Sequence, residues 1–235
     1  MVRKVLSGLV FGLLLAIPPV EALTLSQLQT ESRVLSLDTG STRRRFSDSQ
    51  ITSFINDGQR IAVTSVRPIM KSFNFELVVG TTYYALPDDF MQMNRLTYKY
   101  EMLVETTPEN LDRSTKWEEV GSRPTNYFIH FASRTKVGLY PYPNSVTSTG
   151  TVKVEYYAQA TDLSAAGDEP YNSLTELKPY HYGLAFYAAS RMALIDGRAD
   201  LAAVYLGEYR AFLDRMDKEA KSRPSYRPSA VGRGG

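Results

Sequence analysis

The chain has no cysteine among its 235 residues, only two histidines and a single tryptophan. Without cysteine it can hold no disulfide framework, no thiolate zinc site and no cysteine nucleophile. His130 and His181 are too few for a multi-histidine metal centre, so neither a metal nor a cofactor is expected. An excess of one charge is missing too. Twenty-seven basic residues face twenty-five acidic ones, a net +2, which excludes the uniformly basic surface of a nucleic-acid coat. The sequence carries no G-x-S-x-G, H-E-x-x-H, Walker or G-x-G-x-x-G signature. Asp88-Asp89 and Glu118-Glu119 are adjacent carboxylates, and neighbours on a strand point to opposite faces. No catalytic residue is expected.

One long apolar run is present. Arg3 and Lys4 precede sixteen uncharged residues, Val5 to Val20, broken by Pro18-Pro19 ahead of Val20-Glu21-Ala22. Basic start, apolar stretch and small-x-small site are the three parts of a signal-like leader over residues 1–22. The run is short for a bilayer span, which needs ~20 residues. No membrane segment is expected in the rest of the chain.

Beyond residue 23 the pattern is helical. Leu25, Leu28, Val34 and Leu35 predict an amphipathic helix over 25–37, ended by Asp38-Thr39-Gly40. Arg43-Arg44-Arg45 follows in the loop. Three charges suit either a phosphate or acidic-partner contact or a solvated loop, and an outer or interface surface is expected for them. Ser47-Asp48-Ser49-Gln50 reads as a capping box. Ile51, Phe54, Ile55, Ile61 and Ala62 then continue a helix to Val66, before Pro68. Gly58 inside it costs ~1 kcal/mol relative to Ala, tolerable where a neighbouring helix packs close.

From Ser72 the period changes to two. Phe73, Phe75, Leu77 and Val79 alternate with other residues, and Gly80-Thr81-Thr82 predicts a hairpin into Tyr83–Leu86. Met93 to Val104 reads as one strand with Leu96, Tyr98, Tyr100 and Met102 on one face. Thr107-Pro108 opens a helical turn, Thr107 as cap and Pro108 at the first position. Tyr127–Phe131, Lys136–Tyr140 and Thr151–Tyr157 predict three further strands, with His130 an exposed strand residue. Helix returns over Leu174–Leu194, where His181 reads as a packed or half-exposed aromatic. After Asp196-Gly197 a last helix runs to Lys221, antiparallel to the one before it. Residues 222–235 cannot bury a core and are expected to order only on a partner.

The fold class expected is α+β: an antiparallel helical bundle, made of helices over 25–66 and 174–221, with an antiparallel β block over 72–157 inserted between its halves.

Several segments together carry a resemblance: S-D-S-Q-I-T-S-F-I-N-D-G-Q-R-I-A (47–62), Y-x-L-P-D-D-F (84–90), E-T-T-P-E-N-L-D (105–112), W-E-E-V-G-S-R-P-T-N-Y-F (117–128), V-G-L-Y-P-Y-P (137–143) and V-E-Y-Y (154–157). In this order they resemble the head–tail connector (adaptor) proteins of tailed bacteriophages, over about residues 24–221. The resemblance implies a structural virion protein forming a ring, usually of twelve copies, beneath the portal protein. Such a ring extends the channel through which packaged DNA passes, without sequence-specific binding, towards a tail or stopper protein. It also implies that the C-terminal segment is an arm on the portal, with Arg223, Tyr226, Arg227 and Arg233 as its contact residues. The leader departs from this pattern. It favours a rival expectation, an envelope protein exported after cleavage following Ala22, which binds a partner or glycan through its strand block.

Overall fold

A computed structural model describes residues 22–40, 44–113, 116–117, 121–130, 135–146 and 149–222. The first helix, α1 (Leu25–Ser36), is started by a reciprocal cap. Thr24 Oγ1 accepts from the Gln27 N–H, and the Gln27 side chain accepts from the Thr24 N–H. The second, α2 (Asp48–Val66), starts with the same device at Ser47 and Gln50, as the sequence predicts. Both helices end on a non-glycine residue in the left-handed region, Leu37 and Arg67.

The chain then enters β1 (Met70–Glu76), β2 (Tyr83–Ala85), β3 (Phe90–Tyr98), β4 (Glu101–Met102) and β5 (Val104–Glu105). A short α3 (Pro108–Asp112), capped by Thr107, precedes β6 (Asn126–Ile129), β7 (Lys136–Tyr140) and β8 (Thr151–Ala158). Two 3-10 turns, Tyr171–Ser173 and Thr175–Tyr180, lead into α4 (His181–Ile195) and α5 (Ala199–Ser222). The class is α+β.

The strands form two four-stranded sheets in the orders β1-β8-β3-β4 and β2-β7-β6-β5. All pairs are antiparallel except β5 with β6. One extended segment belongs to both sheets. Glu101 and Met102 pair with β3, and Val104 and Glu105 pair with β6. The Leu103 N–H donates back to the Leu96 carbonyl at 2.9 Å, and the Val104 N–H donates the other way, to Thr125, at 3.0 Å. Successive residues of a strand direct their backbone groups to opposite sides. The sheets are thereby joined edge to edge through this segment, and Leu77, Leu96, Tyr98, Val137, Leu139, Val152 and Val154 all lie in the core.

Two expectations are corrected here. The hairpin across Gly80-Thr81-Thr82 does not form: β1 pairs with β8 and β2 with β7, so the two strands lie in different sheets. The Tyr84 hydroxyl holds the connection instead, accepting from the Val78 N–H at 3.0 Å and donating to carbonyls of that loop. The single strand over Met93–Val104 is broken as well. Lys99 and Tyr100 both take positive φ, 47° and 66°, and reverse the chain between β3 and β4. Tyr100, expected on one face with Leu96 and Tyr98, is fully exposed at that turn, whereas Tyr98 is buried.

Helix α4 lies among the others, packed on α1, α2 and α5. Its Leu184, Ala185, Ala188, Ala189, Met192 and Ala193 are all fully buried. Small residues admit close neighbours. A Cβ on Gly58 of α2 would stand 2.9 Å from Tyr187 Cδ1, so the packing that the glycine implies is present. One core runs from these helices through the sheets, and a second, small cluster joins Leu111, Trp117 and Phe128. The Trp117 indole N–H donates to Asp112 Oδ1 at 2.6 Å, satisfying the polar end of a buried ring.

Candidate functional site

The expected portal-arm residues Arg223, Tyr226, Arg227 and Arg233 lie outside the described residues, as do Arg43, Glu118, Glu119 and the leader to residue 21. Arg44 and Arg45 are exposed, and each lies near a carboxylate of its own chain. Arg44 lies 3.8 Å from Asp48, and Arg45 pairs at 2.7 Å with Asp196 in the turn between α4 and α5. Beneath them, Arg33 is buried and bridges Asp38 at 2.7 Å and Asp48 at 2.5 Å. Asp38 also accepts from the Arg45 N–H. The described arginines of this loop thus close the α1–α2 connection onto the α4–α5 turn. The α1 pattern expected Val34 inside. It is 51% exposed, and the polar Ser32, Arg33 and Ser36 are buried in its place.

The two histidines stand in different surroundings. His130 lies just beyond β6, half-buried rather than exposed, with its ring edge-on to Tyr83 at 5.2 Å. His181 is fully buried. Its Nδ1 lies 3.2 Å from both the N–H and the carbonyl of Leu23, and its Nε2 has no partner. Burial drives its pKa down to about 4. Asp88 and Asp89 occupy the turn before β3. Burial opposes charge on Asp89, but hydrogen bonds from Lys71 Nζ at 2.6 Å and the Tyr156 hydroxyl at 2.8 Å outweigh it and hold the carboxyl below its usual range. Tyr156 is raised to about 12 by its own burial and by that carboxylate. This is a structural lock between β1, β3 and β8. Among the described residues, no group of three His, Asp or Glu side chains is placed to hold a metal ion.

A concavity of about 750 Å³ lies between Lys71 and the loop 161–173. Its Asp168 carboxylate is taken up by the Ser164 and Ala165 N–H groups, both at 2.7 Å. Those backbone bonds hold its pKa down. A second groove follows the junction of the helices and strands. It consists of two cavities, about 570 and 380 Å³, both lined by Met91. Sequence reasoning missed it, because its walls come from α2, β3, β5, β6 and the segment after β8.

The exposed large apolar side chains gather mainly at two ends of the molecule. At the helical end are Val34, Leu37, Leu194, Ile195 and Val204. This end is tied together by Arg198 donating to the Ser36 carbonyl and Tyr205 to the Leu35 carbonyl. Strand β1 leaves α2 at the other end of that helix and runs away from it. The tip it reaches carries Val78, Val79, Tyr100 and Val146. There the Leu77 N–H donates to Gly150, the Gly80 N–H to Pro143 and the Tyr98 hydroxyl to Thr149. Exposed apolar groups collected in this way mark contact surfaces rather than reaction sites.

Exposed apolar residues at two ends agree with what the chain is related to. A family model described as SU10 adaptor protein matches residues 23–232. The chain belongs to that family. The phage adaptor is thus a structural protein of the virion, and the resemblance read from its motifs is borne out. No curated protein matches the chain. Among the adaptor's described residues, no helix is long and apolar enough to cross a membrane.

Proposed function

We propose that the adaptor assembles with its own copies into a closed ring beneath the portal, extends the DNA channel and joins the head to the tail. The observation that carries this reading is the family match over residues 23–232. Apolar residues at two ends, the helical end and the strand tip, suit a part that must touch one body on each side. A near-neutral chain suits a channel wall, since a strongly basic lining would grip the phosphates of the passing DNA. Head-to-tail contacts that close under rotation make rings without any two-fold surface.

The test is to mix the purified full chain with the portal protein and image the product by electron microscopy. A collar of adaptor copies capping one face of the portal is the expected result. Adaptor that remains monomeric and leaves the portal bare would overturn the reading.

A further inference from the structure

We propose that the junction groove is the docking site of the C-terminal segment of this same chain, residues 223–235, and that it takes Tyr226 as an anchor. The groove's floor is apolar, with Met91 shared by both cavities, and Phe90, Met93 and Ile129 along the smaller one. Methionine side chains adapt their shape to an incoming ring and make favourable sulfur–aromatic contacts. The rim is acidic. Glu105 and Asp162 line the groove, and Asp88 and Asp89 stand immediately before Phe90. Arg60 pairs with both Asp162 and Asp57, and Lys71 with Asp89, so the rim keeps a negative excess, part of it on Glu105, which is hydrogen-bonded to Tyr127.

The proposed occupant is complementary in charge and in kind. Residues 223–235 contain Arg223, Arg227 and Arg233 and no Asp or Glu. Tyr226 lies between the first two arginines, so a buried ring would place both guanidinium groups at the acidic rim. Pro224 and Pro228 favour an extended segment and reduce the ordering cost of binding. The segment follows Ser222 at the end of α5, where Tyr180 is hydrogen-bonded to Glu219. Tyr226 is the fourth residue beyond Ser222, so an extended chain lets it reach up to ~14 Å from that helix end. The larger concavity beside Lys71 is a poorer match. It is lined mostly by polar residues, and its Asp168 is already engaged.

The proposal does not depend on ring formation, and it competes with the portal as the destination of the arm. The natural absence of cysteine makes the test direct. The full chain carrying Ser225→Cys, which keeps the Tyr226 ring, with Gln92→Cys, an exposed residue on the groove, is compared with Ser225→Cys and Ser164→Cys in the other concavity. Under mild oxidation the groove pair is expected to form at least tenfold more disulfide. Adding Glu105→Lys is expected to cut that yield at least fivefold. A cross-link within one chain supports the proposal, and one formed only between two copies, told apart by gel mobility, overturns it. Equal yields from the two pairs, or no disulfide at the groove, overturn it.

Discussion

Asn56 imitates a strand partner for Leu163. Its Nδ2 donates to the Leu163 carbonyl at 3.0 Å, and its Oδ1 accepts from the Leu163 N–H at 2.9 Å. Three residues along α2, on the same face, Gln59 repeats the device. Its Nε2 donates to the Thr161 carbonyl and its Oε1 accepts from the Tyr171 N–H. The loop that leads from the sheets back to the helices is therefore held by two buried amides rather than by apolar packing alone. From the last of those anchors onward, Tyr171, Asn172 and Ser173 all take φ above +50°, a conformation that persists only where surrounding contacts impose it.

The first prediction concerns that anchor. Asn56→Asp removes the donor and sets a charge against the Leu163 carbonyl, so about 2–4 kcal/mol of stability should be lost. Urea denaturation measures the loss. Hydrogen exchange should localise it, with the Leu163 amide losing protection before the amides of α4. Unchanged protection at Leu163 would show that the loop is held by other contacts.

Two glycines offer a paired test. Gly58→Ala gains helix propensity of about 1 kcal/mol, but the new Cβ would lie 2.9–3.2 Å from Cδ1, Cγ and Cβ of Tyr187. Cβ cannot swing away, and the Tyr187 ring is packed on Tyr209 at 5.1 Å. The net result should be a loss of about 1–3 kcal/mol. Gly207→Ala on exposed α5 meets nothing within 4 Å and should stabilise by about 0.5–1 kcal/mol. Thermal melts of the two variants should move in opposite directions.

The parts of this fold that were legible in the sequence are the local ones. The Ser47–Gln50 capping box, the stop at Val66 before Pro68 and the Thr107-Pro108 start involve residues within four positions of each other. Strand partners were not legible, because Met70 pairs with Tyr157 and Tyr83 with Gly138 across long separations. The reversal at Lys99-Tyr100 carries no glycine or asparagine to announce it. Buried Arg33, Asn56 and Gln59 looked like surface residues of amphipathic helices. For Asn56 and Gln59, the groups that satisfy them lie more than a hundred residues away. The groove, assembled from five separate segments, was not legible either.

Arg33 supplies the third prediction. Arg33→Met leaves Asp38, 5% exposed, with backbone N–H partners but no countercharge. Removing one member of a buried ion pair costs about 3–5 kcal/mol. Asp48, 62% exposed at its side chain, contributes little to that figure because water already solvates it. Arg33→Lys should recover only part of the loss, since an ammonium cannot span Asp38 and Asp48 with a planar fork. Denaturant midpoints of the two variants give the order directly, and equal midpoints would mean that a point charge is enough.

The last prediction follows from His181, which is neutral and buried where α4 meets the residues ahead of α1. Its folded pKa is about 4 against an ordinary value of 6.5, with burial the largest cause; Glu169 opposes the change and Lys178 adds to it. Between those two values the unfolded chain binds a proton that the folded chain refuses. Stability must therefore fall as pH drops from about 6.5 towards about 4, and this contribution is constant below that range. The size is on the order of 3 kcal/mol, because each tenfold difference in proton affinity between the folded and unfolded chains is worth roughly 1.4 kcal/mol. His181→Gln removes the titration while keeping a polar atom near Leu23. The variant should be less stable than the native chain at pH 7, yet its stability should change less between pH 7 and pH 4.5. Urea midpoints at the two pH values decide it: an equal drop in both proteins would place the acid sensitivity on the carboxylates instead.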